Sequence, residues 1–184
     1  MESISKTERQ FNAALKICRD LFAKKLQDYG PSWRIMRPMS ITDQIFIKAK
    51  RIRTLETTGE AMVDEGILPE FIAIVNYGIV GLIQLHLGYA DHVDITADEA
   101  MMLYDRFAKD ARELMMAKNH DYGEAWRSMR VNSYTDLILT KIQRTKQIEE
   151  HEGRTIVSEG IDANYMDMIN YSVFGIIKLT EDED

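Results

Sequence analysis

Lys25–Arg37 reads KLQDYGPSWRIMR, and Lys118–Arg130 reads KNHDYGEAWRSMR. The two stretches share the pattern K-x-x-D-Y-G-x-x-W-R-x-M-R and begin 93 residues apart. Both tryptophans of the chain lie within this pattern. An internal duplication of this kind sets the architecture of a chain, so the motif is the starting point for predicting the fold.

The similarity between the two copies continues well beyond the motif. Downstream, the segment NYGIVGLIQL that begins at Asn76 matches NYSVFGIIKL, which begins at Asn170. We therefore predict a single domain, residues 1–184, that is made of two repeats. The first repeat is expected at about 5–90 and the second at about 96–180.

Three helices are predicted in each repeat. In the second repeat, the sequence TADE at Thr96 has the pattern of a capping box and begins the first helix. Apolar residues recur at helical spacing after it, and further helices are predicted at 134–150 and at about 160–179. Gly123 separates the first two helices and is suited to a positive φ angle.

No strand is predicted, because the chain has no sustained alternation of apolar and polar residues and no Asn-Gly or Asp-Gly hairpin turn. We predict an all-α fold of six main helices, in which two tandem three-helix repeats pack about a pseudo-twofold axis. The third helices are too apolar to face water, so they are expected to pack against each other. The residues predicted to be buried between them are Ile72, Val75, Ile79 and Ile83 from the first repeat and Met166, Ile169, Val173 and Ile177 from the second.

Composition limits the classes of partner and compartment. The net charge of −7 argues against general binding to nucleic acid, which needs a positive surface to displace counterions. The most apolar run, 71–85, is shorter than the roughly 20 apolar residues that span a bilayer, so we expect a core helix and no membrane association. Cys18 is the only cysteine and cannot form an internal disulfide, which indicates a cytoplasmic location and a packed thiol.

Acidic residues gather on the predicted third helix of the second repeat. Glu159 and Asp162 are spaced i, i+3, and Asp167 lies on the same margin of the helix. Carboxylates on adjacent turns suit Mg²⁺, which prefers oxygen ligands and retains substrate phosphates, so we predict these three residues as metal ligands. The alternative is that the acids at the helix start are stabilised by the helix dipole.

Basic residues recur at the same places in both repeats. Lys118, Arg130, Lys141 and Arg144 are candidates for binding phosphate, because arginine clamps phosphate oxygens and lysine supplies a point charge. The alternative is that they form surface salt bridges. Their counterparts in the first repeat are Lys25, Arg37, Lys48 and Arg51.

The turn of the motif supplies the remaining candidates. Tyr122 and Trp126 offer aromatic faces for stacking on a nucleobase, although repeated aromatic residues in a helical protein are also typical of a core. Asp121 is a candidate catalytic residue that orients water or a basic neighbour, or a residue that caps the turn. Other chemistries are excluded, since the chain has no zinc-ligand spacing, P-loop, dinucleotide-binding loop or nucleophile elbow.

The doubled K-x-x-D-Y-G-x-x-W element, the K-x-x-R helix and the E-G-I…N-Y helix together resemble the family called nucleotide modification associated domain 1. The resemblance covers almost the entire chain and implies a link to nucleotide or DNA-base modification. More distantly, the K-x-x-R helix followed by EGIDANYMDMINY resembles nucleoside triphosphate pyrophosphohydrolases of the MazG and dimeric dUTPase type. That resemblance implies that Glu159 and Asp162 hold Mg²⁺. The other acidic element of those enzymes has no full equivalent here, and Glu113 with Asp110 or Asp105, or Glu149 with Glu150, are alternatives for it.

These observations lead to two functional hypotheses. The first is a Mg²⁺-dependent (deoxy)nucleoside triphosphate pyrophosphohydrolase with Glu159, Asp162 and Asp121 as catalytic residues. The second is a non-catalytic nucleotide-binding or scaffold module that partners a nucleic-acid-modifying enzyme. In either hypothesis the ligand is a small-molecule nucleotide, and the sequence allows a homo-oligomer. Because Asp162 aligns with Leu68 and Asp167 with Ala73, we expect the site in the second repeat and a mainly structural role for the first.

Overall fold

The computed structural model describes residues 4–59 and 66–181 of the chain, which excludes Glu65, the counterpart of Glu159. Of the described residues, 81% are helical and none lies in a strand, so the predicted all-α fold of six main helices is confirmed. Two short 3₁₀ helices follow the first and fourth α-helices, at Ser32–Ile35 and Ala125–Ser128. The α-helices are α1 Lys6–Tyr29, α2 Pro38–Thr58, α3 Leu68–Leu87, α4 Ala97–Tyr122, α5 Val131–Glu150 and α6 Ile161–Thr180.

The ends of the helices follow the local signals in the sequence. The hydroxyl of Thr96 caps α4 by accepting a 3.1 Å hydrogen bond from the backbone N–H of Glu99, as the capping-box pattern predicts. Gly30 and Gly123 end α1 and α4 with φ angles of 66° and 59°, so the predicted positive φ of Gly123 is confirmed. The chain thus turns at the same point in both repeats.

Helices α3 and α6 form the centre of the molecule and pack directly on each other. Glycines allow this close approach, because a Cβ atom on Gly78 would lie 2.6 Å from the Ile169 side chain. Gly81 faces the ring of Tyr165, and its counterpart in the second repeat likewise faces the ring of Phe71. The predicted packing of the two third helices is therefore confirmed. Of the eight residues predicted between them, all are buried except Met166, which is partly buried.

Helix α3 also passes a length and hydropathy test for a membrane span. In the structure, 67% of its apolar window is buried inside the protein, where it contacts α2, α4, α6 and α1. The apolar residues of α3 therefore form part of the core of the fold.

The outer helices repeat the same arrangement about the pseudo-twofold axis. Helix α2 packs on α3 as α5 packs on α6, and α2 and α5 also contact each other. Two ion pairs join α2 and α5, Arg53 with Asp136 at 2.5 Å and Lys146 with Asp43 at 3.6 Å. These pairs are exchanged by the 93-residue offset, so the pseudo-twofold relation extends to individual side chains.

The 3₁₀ helices of the motif are held by a polar side chain near the end of each third helix. Gln84 donates hydrogen bonds to the backbone carbonyls of Arg34 and Met36 at 2.9 and 2.7 Å. Its counterpart Lys178 donates to the equivalent carbonyls of the second repeat at 2.6 and 2.7 Å. The W-R-x-M part of the motif therefore fixes where each tryptophan lies relative to its third helix.

Candidate functional site

The predicted acidic residues of the second repeat do not form one cluster. Glu159 is exposed in the connection before Gly160, the N-cap of α6, so the expected i, i+3 placement of Glu159 and Asp162 on one helix is wrong. The helix begins at Ile161, close to the predicted start at about residue 160, and the Gly160 carbonyl accepts a hydrogen bond of its first turn, so Glu159 precedes the helix. Asp162 is exposed on the first turn of α6, whereas Asp167 is buried.

Asp167 lies between two lysines. Its two carboxylate oxygens contact Lys118 Nζ at 2.7 Å and Lys141 Nζ at 2.8 Å. Burial acts to lower the pKa of Lys118, but the hydrogen bond and the charge of Asp167 outweigh it and raise that pKa. Asp167 is therefore the shared ion-pair partner of two lysines inside the protein.

This arrangement does not fit a magnesium ion. Both oxygens of Asp167 are occupied by ammonium groups, and Mg²⁺ requires concentrated negative charge on its ligands. Within residues 4–59 and 66–181, no group of three His, Cys, Asp or Glu side chains is placed to hold a metal ion. Asp162 does share a groove of about 530 Å³ with Asp110 and His86, so two of the acids considered from the sequence lie near each other.

The other predicted residues of the second repeat have different surroundings. Arg130 is exposed at the N-cap of α5, and Arg144 is exposed within that helix. Asp121 is exposed at the end of α4, where its carboxylate lies 3.2 Å from the Nδ1 atom of His120. Tyr122 is 72% exposed. None of these four side chains lines the groove of Asp162 and Asp110.

Trp126 is a core residue. Its ring stacks on Phe174 with a centroid distance of 4.5 Å and an angle of 6° between the planes. The guanidinium of Arg127 covers the ring at 4.5 Å. Of the two interpretations from the sequence, packing in the core is correct, because Phe174 takes the place that a nucleobase needs.

The first repeat contains a cavity of about 530 Å³ beside its copy of the motif. Aromatic and apolar residues line one part of it, including Phe22, Leu26, Tyr29, Trp33 and Tyr77. The polar part is lined by Lys25, Lys48, Glu70 and Asn76. The cavity therefore combines aromatic faces with cationic groups.

Two small residues on α3 account for this cavity. Ala73 and Val80 both line it, and they align with Asp167 and Phe174 of the second repeat. Where the second repeat places a carboxylate and an aromatic ring, the first places a methyl group and an isopropyl group. The two repeats are thus unequal, and the cavity lies in the repeat that the sequence interpretation treated as structural.

The two lysines of the cavity, Lys25 and Lys48, have no equivalent of the Asp167 carboxylate, because Ala73 stands at that position. Lys25 forms no ion pair with any residue in the described ranges, whereas its counterpart Lys118 binds Asp167. Lys48 lies 3.7 Å from Glu70, a carboxylate that also pairs with Arg51 at 2.5 Å. Among the described residues, the Lys25 ammonium is thus a positive charge at the cavity without an ion-pair partner, and it favours an anionic ligand.

Glu70 contributes an unsatisfied hydrogen-bond acceptor. Its side chain is 6% exposed, and its Oε2 atom, which lies 3.7 Å from Lys48 Nζ, has no hydrogen-bond partner among the described residues. A buried acceptor left without a donor costs free energy. Glu70 has no acidic counterpart, since Asn164 stands at its position in the second repeat.

The residues of this cavity were named in the sequence only as counterparts of the second-repeat candidates. The signal that could have identified them is the pair of large-to-small differences in the aligned third helices, FGIIKL against VGLIQL and YMDM against FIAI. The interpretation of the sequence relied on charge and therefore selected the second repeat, whose third helix carries more carboxylates. Missing side-chain volume is the feature that separates the two repeats in the structure.

The fold and the cavity define an all-α protein of two tandem three-helix repeats with a ligand-sized, aromatic and cationic cavity in the first. The family model for nucleotide modification associated domain 1 matches the chain twice, at residues 25–85 and 118–179, which together contain 123 of its 184 residues. The chain therefore belongs to this family, whose name associates it with nucleotide modification. Comparisons with curated proteins and with solved structures give no match, and the more distant resemblance to pyrophosphohydrolases of the MazG type is not confirmed.

Proposed function

We propose that the chain binds a nucleotide in its first-repeat cavity and thereby serves nucleotide modification. One observation carries this proposal. Ala73 and Val80 leave open, between lysines and aromatic rings, the space that Asp167 and Phe174 fill in the other repeat. The name of the family, which refers to nucleotide modification, supports the same class of ligand.

The aromatic part of the cavity suits a nucleobase. Trp33 and Tyr29 line the cavity, and stacking on an aromatic side chain contributes about 1–3 kcal/mol per base. The cavity volume of about 530 Å³ lies within the range of about 300–1,000 Å³ that is usual for small-molecule sites. A base therefore finds both a surface to stack on and enough room.

The polar part of the cavity suits a phosphorylated sugar. Lys25 and Lys48 supply positive charge for phosphate oxygens, and Lys25 is not neutralised by a carboxylate of the described residues. Glu70 and Asn76 also line this part of the cavity, and their side chains offer hydrogen-bonding groups for the hydroxyls of a sugar. A nucleotide thus meets each of the chemical requirements of this site.

Hydrolysis on magnesium does not follow from this arrangement, because the carboxylates that the sequence suggested are dispersed or paired with lysine. Binding is therefore the activity that we propose. Release of pyrophosphate, in the presence and absence of Mg²⁺, is a separate measurement on the same samples. Turnover that depends on Asp162 and Asp110 would favour the pyrophosphohydrolase hypothesis over binding without catalysis.

Titration calorimetry with ribonucleoside and deoxyribonucleoside phosphates tests the proposal. We expect saturable binding with one site per chain, and a loss of about tenfold or more in affinity for Lys25→Gln, since a hydrogen bond to a charged group contributes about 1.5–3 kcal/mol. Lys24→Gln is the matched control, because Lys24 is an exposed neighbour that does not line the cavity. Absence of binding for every nucleotide, or equal losses for the two variants, contradicts the proposal.

A further inference from the structure

We infer that the ligand of the first-repeat cavity is a nucleoside monophosphate. Its phosphate occupies the place that corresponds to the Asp167 carboxylate of the second repeat, and its base occupies the place that corresponds to the Phe174 ring. The inference rests on the proposed function and specifies it. It depends on the two repeats having the same geometry around the third helix. Three sets of contacts establish that geometry.

The first set joins each third helix to the first helix of its own repeat. Asn76 donates a hydrogen bond to the carbonyl of Cys18 at 3.1 Å, and Asn170 donates to the carbonyl of Ala111 at 3.0 Å. The second set is the pair of hydrogen bonds from Gln84 and its counterpart to the 3₁₀ helices. The third is the pair of exchanged ion pairs between α2 and α5. Equivalent positions of the two third helices therefore face equivalent neighbours.

The anionic group follows from Asp167. Its carboxylate lies between Lys118 and Lys141, whose counterparts Lys25 and Lys48 both line the first-repeat cavity. At the position of Asp167 the first repeat has Ala73, so the space between its two lysines is open to an anion from outside. A phosphate group in that space makes the two contacts that the Asp167 carboxylate makes in the second repeat.

The ring follows from Phe174. It stacks on Trp126 with nearly parallel planes, and the counterparts of these two residues are Val80 and Trp33. Val80 is too small to cover the Trp33 ring as phenylalanine covers Trp126. A nucleobase placed beside Val80 restores the stacked pair in the first repeat.

The spacing of these two positions specifies the kind of molecule. Val80 lies seven residues after Ala73, which is about 10 Å along a helix with a rise of 1.5 Å per residue. The ring and the anionic group must therefore be joined by a spacer, as the sugar joins base and phosphate. Glu70, one turn before Ala73, already takes the charges of Lys48 and Arg51 and opposes a second and a third phosphate.

Substitutions that place the second-repeat side chains at the equivalent positions of the first-repeat cavity test this inference. We expect Ala73→Asp and Val80→Phe each to reduce the affinity for nucleoside monophosphates by at least tenfold in calorimetry, with the melting temperature unchanged or higher. The probes are adenosine, guanosine, cytidine and thymidine monophosphates, with their triphosphates, the free nucleosides and inorganic phosphate for comparison. Ala13→Asp is the control, because it adds the same charge at an exposed position of α1.

The possible results separate the inference from the proposed function. If the unmodified protein binds none of the probes, the proposed function fails. If it binds them and the two filling variants bind equally well, or if triphosphates bind more tightly than monophosphates, the inference fails and nucleotide binding stands. The double variant Asp167→Ala with Phe174→Val adds a positive test where it folds, since it is expected to raise the stoichiometry from one site to two.

Discussion

The Tyr104 hydroxyl donates a 2.7 Å hydrogen bond to Oδ1 of Asn76, across the boundary between the two repeats. The pseudo-twofold counterpart of Tyr104 is Phe11, which has no hydroxyl group, and Oδ1 of Asn170 is accordingly buried without a partner. The same backbone frame thus contains one satisfied and one unsatisfied amide oxygen. This difference provides a direct test of the pseudo-twofold relation.

We predict that Tyr104→Phe destabilises the protein by about 1–3 kcal/mol, because it leaves the Asn76 oxygen buried without a donor. The reciprocal change Phe11→Tyr is expected to add a donor for Asn170 and to stabilise the protein by about 1 kcal/mol. Urea unfolding measures both free energies. A destabilising Phe11→Tyr would show that the ring edge of Phe11 does not point toward Asn170.

The lysine pair around Asp167 gives a second prediction. Asp167→Ala is expected to cost about 3–5 kcal/mol, because it leaves the charge of Lys141, whose side chain is 14% exposed, without a counterion. Asp20→Ala is the matched control, since Asp20 pairs with Lys16 on the exposed surface of α1 at 2.7 Å. Exposed pairs of this kind contribute about 0–1 kcal/mol, so similar losses in the two variants would contradict the buried ion cluster.

Close approach of α3 and α6 gives a third prediction. Gly78→Ala is expected to destabilise the protein by about 1–3 kcal/mol, because the new Cβ atom meets the Ile169 side chain at 2.6 Å. Gly66→Ala provides the comparison, since a Cβ atom there meets no atom of the described residues within 4 Å. Thermal unfolding of the two variants would show equal melting temperatures if the helices were free to move apart.

Stability is predicted to fall at alkaline pH. Burial raises the pKa of the Cys18 thiol from 9.0 to about 12, and burial likewise raises the pKa of Tyr134 from 10.0 to about 12. Above pH 9 the unfolded chain therefore loses protons that the folded chain retains, and the free energy of unfolding decreases as pH rises. Each group contributes a slope of up to about 1.4 kcal/mol per pH unit between its unfolded and folded pKa values.

Urea unfolding between pH 8 and pH 11, in the presence of a reducing agent, measures this slope. Cys18→Ala is a conservative control, because alanine occupies the equivalent position, Ala111, in the second repeat. The variant is expected to lose stability less steeply with rising pH than the unmodified protein. An unchanged slope would indicate that the Cys18 thiol is not protected by the fold.

The fold could be predicted from the sequence because its signals are local or repeated. The capping box at Thr96, the positive φ of Gly123 and the apolar third helices each depend on neighbours within the same element. The duplicated motif then supplied the relation between the two halves. Agreement among these levels is what specifies a fold.

The site could not be located in the same way, because it depends on volume between elements. Asp167 has the composition of a metal ligand, and only the positions of Lys118 and Lys141 show that its charge is already balanced. Similarly, Trp126 and Trp33 occupy the same position of the duplicated motif, and the difference between a core ring and a cavity wall arises from Phe174 and Val80 on the third helices.

Because the two repeats belong to one chain, a cavity can be open in one repeat and filled in the other, which a symmetric homodimer does not allow. In a homodimer of three-helix subunits, both subunits carry the same residue at every position, so a substitution that fills one pocket fills the other as well. In a single chain with two repeats, Phe174 and Val80 are encoded separately and change separately. One repeat can then have a closed, tightly packed interior while the other keeps an open cavity.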